Sequence, residues 1–383
     1  MSGYRFSTVT ELRVGVGMAR EAGELCQELG IRRPLIVTDP GLVNAGLVEP
    51  VKFSVAEGCD RVSLFSAVSA DPSEAVVLEA LNVLRSGDVD GVIGLGGGSS
   101  MDVAKAIAVL AAGDQCLADV YGVDKVAGSR LPLILIPTTA GTGSEVTPVA
   151  VITTGETTKA GISSATLLPD IAVLDAELTL GLPAAVTAMT GIDAMVHAIE
   201  AYTSKIKKNP LSDMLARQAL TLLSANQRRV LSHPDDVSAR EAMLLGATLA
   251  GQAFANAPVA AVHALAYPLG GHYHMPHGLS NALMLPAVLR FNASVAEADY
   301  LELAPLLPGA VKPGLEGFVS WFEELIADAA LPTTLAKAGV PEQDLPMLAV
   351  DAMQQQRLLM NNPVEVDEVA ALSLYSAAWS GAA

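Results

Sequence analysis

GVIGLGGGSSMDVAK, residues Gly91–Lys105, joins two periodicities in one short stretch. Gly91–Leu95 is an apolar run with β-branched members, the pattern of a strand buried on both faces. Met101–Ala112 reads as an Ala-rich helix. Between them stand Gly96, Gly97 and Gly98, then Ser99 and Ser100. Glycines there let the backbone approach a pyrophosphate, and a helix start offers free N–H groups and the positive end of its dipole. Ser99 or Ser100 is expected to cap the helix, with Asp102 in its first turn. A tight, well-capped turn needs no ligand, but a strand before and a helix after favour phosphate binding. The spacing departs from the usual dinucleotide fingerprint, which puts an acid about 20 residues downstream. The best-placed acid, Asp39, lies upstream at the end of an earlier strand. A carboxylate there would accept from ribose hydroxyls and repel a 2′-phosphate, favouring NAD over NADP. Spacing alone reads Asp39 as an Asp-Pro-Gly turn residue.

Outward from this stretch, strand-like runs at Arg33–Thr38, Asp60–Ser66 and Leu131–Ile136 alternate with a helical pattern over Pro72–Leu84. Such alternation predicts a parallel sheet covered on both faces. Pro137–Glu145 (PTTAGTGSE) is a second suspicious strand exit, small hydroxyl residues among glycines. It reads equally as a close-fitting ligand loop or as a polar connection. After about Pro183 strand-like runs nearly vanish. Helical stripes such as Leu211, Met214, Leu215, Ala219, Leu222 and Leu223 take over, punctuated by Pro234, Pro258, Pro286, Pro308 and Pro332. Two domains are therefore expected, 1–181 and an all-helical 182–383, as a length of 383 residues also suggests.

Composition narrows the function. Asp plus Glu number 41 against 23 Lys plus Arg, a net charge of −18, and 51% of residues are apolar. The acidic balance argues against nucleic acid and against docking to anionic membranes. The most apolar region, Met243–Gly271, carries Gln252, Asn256 and His263 and is broken by Pro258 and Pro268, so it reads as buried helices rather than a membrane span. Cys26, Cys59 and Cys116 form no CxxC and no even framework, pointing to a reducing compartment. The opening Met-Ser-Gly-Tyr-Arg-Phe lacks the apolar core of a signal peptide. A cytoplasmic protein is the expectation.

The sharpest feature is histidine. Of six, His263, His272, His274 and His277 crowd one short segment. Asp193 and His197 stand four apart in a helical pattern, so both face one side, a spacing that grips a divalent metal. Asp193, His197, His263 and His277 together would supply one oxygen and three nitrogens to Fe²⁺ or Zn²⁺, with room for substrate. Singly, each has a plainer reading: a satisfied core histidine, or for Asp193 a helix cap. His272 and His274 alternate around Tyr273 and read as supporting donors or rim residues. His233, before Pro234 in a polar loop, is read as an ordinary loop residue.

These segments resemble the iron-containing (group III) alcohol dehydrogenases over nearly the whole chain. The resemblance runs through GGGSSMDVAK (Gly96–Lys105), PTTAGTGSEVT (Pro137–Thr147), GIDAMVHAIEAYTS (Gly191–Ser204), HALAYPLGGHYHMPHGLSNALMLP (His263–Pro286) and Asn361-Asn362-Pro363. It implies an α/β Rossmann-like N-terminal domain and an all-α C-terminal domain, the dehydroquinate synthase-like architecture, with the active site in the cleft between. It implies that Asp193, His197, His263 and His277 hold Fe²⁺, or Zn²⁺ as in some members. Gly96, Gly97, Gly98 and Ser99 match the pyrophosphate loop of NAD, and Thr138, Thr139 and Thr142 the second cofactor loop. Lys159 falls near the nicotinamide ribose. Asp39 matches the acid of NAD preference, and Phe254 a residue lining the alcohol pocket. Where many members carry a histidine four residues after the third ligand, this chain has Tyr267. A phenol titrates near 10 and is a poor shuttle at neutral pH. The relay then falls to His272 or His274, or to ribose hydroxyls and water. The implied activity is reversible hydride transfer between NAD and a small primary alcohol or aldehyde, in a homodimer. The alternatives are a polyol or hydroxy-acid dehydrogenase, a dehydroquinate-synthase-like lyase, and a non-catalytic binding protein that has kept the fold. Few Lys and Arg flank the metal segments, which counts against the phosphorylated substrate of the lyase.

Overall fold

The computed structural model describes residues 3–155, 158–309 and 312–381. The chain divides into two compact units, the first Ser7–Gly181 and the second from Leu182 onward, with residues 3–6 grouping with the second.

The first unit runs β1 (Glu11–Val14), α1 (Ala22–Glu28), β2 (Pro34–Val37), α2 (Pro40–Asn44), α3 (Val48–Gly58), β3 (Ser63–Phe65), α4 (Glu74–Ser86), β4 (Gly91–Gly96), α5 (Gly98–Ala112), α6 (Leu117–Val120), β5 (Gly122–Val123), β6 (Leu133–Pro137), β7 (Val149–Thr154), β8 (Thr158–Ser163) and β9 (Ile171–Leu174). Six strands make a parallel sheet ordered β1-β9-β6-β4-β2-β3. Register pairs Ile36 with Ile93 and Ile93 with Ile134. Alternate side chains leave opposite faces, so every strand residue needs a cover. Leu35, Val37, Leu133 and Leu135 pack with Val77, Leu81, Met101 and Ile107 of α4 and α5. Ile36, Ile93, Ile134 and Ile136 pack with Leu25, Val51 and Val55 of α1 and α3. The unbroken apolar runs of the sequence are the imprint of that two-sided burial.

A second sheet, β5-β8-β7, pairs β7 antiparallel with β8. Nothing in the sequence reading anticipated it, nor β1 and β9. β9 is four residues long, β7 (VAVITT) opens with four apolar residues in a row that hide the alternation of its burial, and β8 (TKAGIS) is mostly polar or small and half-buried. In the main sheet β2 leads outward to β3, whereas β4 leads the other way to β6 and β9. Order therefore reverses between β2 and β4, and open α/β sheets bind ligands beyond the strands' carboxyl ends at such a reversal.

The second unit is helical among its described residues. It contains α7 (Ala184–Thr203), α8 (Pro210–Ser232), α9 (Val237–Asn256), α10 (Ala261–Tyr273), α11 (His277–Leu303), α12 (Leu315–Asp328), α13 (Leu345–Ala352), α14 (Gln356–Leu359) and α15 (Glu368–Ser380). Caps follow the local sequence: Asn209 accepts from the Leu211 and Ser212 N–H groups with Pro210 at the first helical position, and Asp236 accepts from Ala239. α7 is buried along almost its whole length, flanked by α8, α9 and α11. The α8 stripe is offset from the predicted one: Ala216, Ala219, Leu220 and Leu223 are buried, while Met214 is 59% exposed. Pro286 was expected to end a helix, yet α11 continues through it. The lost hydrogen bond and ring clash cost about 3 kcal/mol. Buried Leu283, Met284, Leu285, Val288 and Leu289 on either side offset that. No described helix is long and apolar enough to cross a membrane.

Candidate functional site

Three helices of the second unit bring four donor side chains together. Asp193 and His197 stand one turn apart on α7, His263 lies in the first turn of α10, and His277 opens α11. Asp193 Oδ1 is 3.9 Å from His197 Nε2, 3.7 Å from His263 Nε2 and 3.6 Å from His277 Nε2. One ligand atom from each residue lies within 4.8 Å of all the others. Ligands about 2.1 Å from a tetrahedral ion stand about 3.4 Å apart. The donors are thus already near coordination spacing, and one carboxylate with three imidazoles suits a borderline divalent ion. The His277 side chain is 33% exposed and the other three are nearly sealed, so approach is from the His277 side.

Asn281, one turn after His277, reports what this donor set requires. Its Nδ2 donates to Asp193 Oδ1 at 2.6 Å and stands 3.2 Å from His263 Nε2 and 3.3 Å from His277 Nε2. Its Oδ1 is buried without a partner. Three electron-pair donors converging on one N–H₂ group form a site a cation satisfies better, so the residues fit a metal.

The electrostatics agree. Burial pushes the Asp193 carboxyl up, but His197, His277, His263 and the Asn281 amide outweigh it and hold the group below its ordinary value. Burial pulls His263 down, and Glu200 then Asp193 more than reverse that. Glu200 lies on α7, seven residues beyond Asp193. Its Oε2 is 2.6 Å from His263 Nδ1, and its Oε1 accepts the Val262 N–H at 2.7 Å.

Neighbouring rings fix the imidazole planes. Phe254 of α9 stacks on His197 with centroids 4.3 Å apart, and His197 stacks on His263 at 4.7 Å. The Tyr267 ring lies 5.9 Å from that of His277. His272 spends Nε2 on Asp351 Oδ2 of α13 at 2.9 Å, and His274 is the exposed left-handed cap of α10, φ 51°. Both belong to the α10 exit rather than to the donor cluster. His233 caps the end of α8 and meets Ser232 Oγ.

In the first unit the glycine turn stands at the carboxyl end of β4. Gly96 has φ +153°, open to glycine but strained for other residues, and Gly97 is the cap position of α5. Neither Ser99 nor Ser100 caps the helix, as the sequence had suggested; both lie inside it. Asp102 lies beyond the first turn. Its carboxylate accepts from Ser144 Oγ at 2.6 Å and from the Val151 N–H at 2.9 Å. With no side-chain cap, the first-turn N–H groups remain available to an anion. The second loop closes on the turn: the Thr138 N–H donates to Gly96 O at 3.0 Å. A Cβ at Gly98 would stand 2.9 Å from Thr142 Cγ2, whereas one at Gly97 would meet only Thr139, at 3.6 Å. A side chain at Gly97 is therefore sterically tolerated by the protein itself. Buried Lys105 holds the loop from behind, reaching Ser144 Oγ and Val149 O, each at 2.8 Å. Burial pulls its ammonium down to about 8 against the opposing pull of Asp102 and Glu145.

Asp39 follows β2, beside this turn in the sheet order, and Oδ1 caps α2 through the Leu42 N–H at 3.1 Å. Lys159 on β8 pairs with Asp71 Oδ1 at 2.6 Å.

Sequence reasoning missed Glu200, Asn281, Lys105 and Ser144. Signals existed: Glu200 shares a helix face with Asp193 and His197, Asn281 is one turn from His277, and Lys105 is a lone cation in an apolar helix.

Comparison with known proteins adds independent findings. The profile of the family described as iron-containing alcohol dehydrogenase matches residues 9–176. That of the Fe-containing alcohol dehydrogenase family, C-terminal, matches residues 187–379. Long-chain-alcohol dehydrogenase 1 of Geobacillus thermodenitrificans is 41% identical over 376 residues, 96% of this chain and 95% of that protein. A crystal structure of 1,3-propanediol oxidoreductase superposes with TM-score 0.95 at 34% identity, covering 98% of this chain and 100% of the other. Sulfoacetaldehyde reductase from Bifidobacterium kashiwanohense, solved in complex with NAD⁺, gives TM-score 0.89 at 29% identity over 98% of each chain.

Proposed function

The chain belongs to the iron-containing alcohol dehydrogenase family, and we propose that it interconverts a small primary alcohol and its aldehyde, using NAD and a divalent metal, iron first and zinc second. The observation that carries this reading is the set Asp193, His197, His263 and His277 at ligand spacing, the first three buried and His277 half-buried. When bound, the ion supplies Lewis acidity toward an alcohol or carbonyl oxygen and NAD the hydride acceptor.

The chain's own residues bind and orient. Gly97 and the start of α5 would hold the pyrophosphate with Thr138, Thr139 and Thr142, and Lys159 would serve the nicotinamide ribose. Asp39 would accept from the adenosine ribose and repel a 2′-phosphate, favouring NAD over NADP. Phe254, stacked on His197, gives the alcohol an apolar wall. The Tyr267 phenol donates to the substrate oxygen. Because a phenol titrates near 10, the proton would leave through water and, with NAD bound, its ribose hydroxyls; the engagement of His272 with Asp351 and the place of His274 as the exposed end of α10 favour that route over one through either histidine. The segments that carry the donors, Gly191–Ser204 and His263–Pro286, contain no Lys or Arg, which favours an uncharged substrate. Three unpaired cysteines agree with a reducing cytoplasm.

The test is elemental analysis of anaerobically purified protein combined with NAD- and NADP-coupled assay across short alcohols, 1,3-propanediol and long-chain alcohols. Near-stoichiometric iron or zinc with NAD-linked turnover of short primary alcohols is expected. Full turnover in stringently metal-stripped protein would sink the metal role, and a clear preference for long chains would sink the small substrate.

The nucleotide cradle has its own test. Gly97→Ala has room within the protein and an ordinary backbone conformation, φ −74°. Ala at a cap position costs only about 1 kcal/mol. The new methyl stands where the pyrophosphate would lie. Calorimetry should show NAD binding at least ~10-fold weaker, equivalent to ~1.4 kcal/mol, with metal content unchanged. Unaltered NAD affinity would move the nucleotide elsewhere.

A further inference from the structure

A buried carboxylate with no place in the donor set needs a reason to be there. The Glu200 side chain is 5% exposed, and an isolated buried charge is strongly disfavoured. Both its oxygens are spent on α10. Oε2 meets His263 Nδ1 at 2.6 Å, and Oε1 takes the N–H of Val262 at 2.7 Å. α10 lacks a side-chain cap of its own, so the carboxylate also faces the positive end of that helix.

We infer that Glu200 is a positioning residue of the metal centre: it fixes His263 as the Nδ1–H tautomer, so that the Nε2 lone pair is turned toward Asp193 and the ion. This inference rests on the metal reading proposed above. The geometry leaves one consistent arrangement. A carboxylate accepts only, so the imidazole nitrogen beside Oε2 must carry the hydrogen. In the neutral ring the other nitrogen is then the acceptor. That nitrogen, Nε2, is the one 3.7 Å from Asp193 Oδ1. A hydrogen-bonded carboxylate also raises the basicity of the imidazole it holds, and losing such a partner costs metal sites about 10–100-fold in affinity. Glu200 lies on α7 with Asp193 and His197. One helix therefore supplies two donors directly and orients a third on another helix.

Glu200→Gln tests this at nearly constant shape. The amide keeps a carbonyl for the Val262 N–H but turns its N–H₂ toward Nδ1, which must then accept, placing the hydrogen on Nε2. Zn²⁺ is the probe, titrated into metal-free full-length protein against a chromogenic chelator. The expected result is 10–100-fold weaker Zn²⁺ binding, recovered in large part by Glu200→Asp. In the His263→Ala background, Glu200→Gln should cause no further loss. Equal Zn²⁺ affinity of Glu200→Gln and wild type, or an additive loss in the double variant, would overturn the inference. Should Glu200→Gln fail to fold, long-range ¹H–¹⁵N NMR of the metal-free wild type decides, at a pH where the ring is neutral. Nδ1–H on His263 supports the assignment, and Nε2–H refutes it. If wild-type protein binds no Zn²⁺ while His263 is Nδ1–H, the metal reading fails and the tautomer assignment survives.

Discussion

His263→Ala should reduce NAD-coupled alcohol oxidation to roughly a thousandth of wild type or less. Lewis-acid stabilisation is worth several kcal/mol, and each 1.36 kcal/mol is tenfold in rate. The variant loses one of three nitrogen donors. It also leaves Glu200 with a single partner, the Val262 N–H. Removing one member of a buried pair costs about 3–5 kcal/mol, so urea unfolding should shift by about that much while far-UV circular dichroism is retained. Metal affinity should fall by more than the 10–100-fold that loss of a ligand's hydrogen-bond partner costs. Three readouts are needed, namely turnover, metal content and unfolding midpoint. Wild-type-like turnover in a folded His263→Ala protein would end the role of this cluster in catalysis.

Gly278→Ala should be almost as damaging, although the residue has no functional group. Gly278 follows His277 at the start of α11, where that helix meets α7. A Cβ there would stand 2.3 Å from the Met189 carbonyl oxygen and 2.6 Å from its carbon. Those are backbone atoms of α7, four residues before Asp193, and they cannot rotate aside. One helix must back away from the other, taking His277 from Asp193. Forced overpacking costs about 1–3 kcal/mol, occasionally more, and the donor set opens at the same time. The expected result is lower thermal stability together with metal binding at least ~10-fold weaker, by ~1.4 kcal/mol. Loss of stability with unchanged metal affinity would show that the helix contact and the donor geometry are independent.

Much of this was legible in the residues. The passage from Gly91 to Lys105 reads as strand, turn and helix because two-sided burial leaves an unbroken apolar run and the helix leaves a spacing of three and four. The donor set was legible because Asp193 and His197 share a turn and the other histidines crowd together. Residues acting through a neighbour were harder to see. Glu200 is one acid among 41 acidic residues until the fold lays it against His263. Lys105 and Ser144 meet only because α5 packs behind the second loop. The helix breakers misled in the opposite direction. Pro286 has the local signature of an end, but packing along both sides of α11 overrides it. His272 reads in the sequence as a supporting donor or a stand-in for the histidine that Tyr267 replaces, and the fold sets its Nε2 against Asp351 of α13, a contact no local pattern announces.

The four donors come from three helices, α7, α10 and α11, and that arrangement has a thermodynamic corollary. An ion held there joins segments that are far apart in the unfolded chain, which offers no such site. By mass action, a ligand that binds only the folded state adds RT ln(1 + [L]/Kd) to its stability, about 1.4 kcal/mol for every tenfold rise in free metal above Kd. The melting temperature of this protein should therefore climb with the logarithm of metal concentration, making heat tolerance a direct gauge of how full the site is.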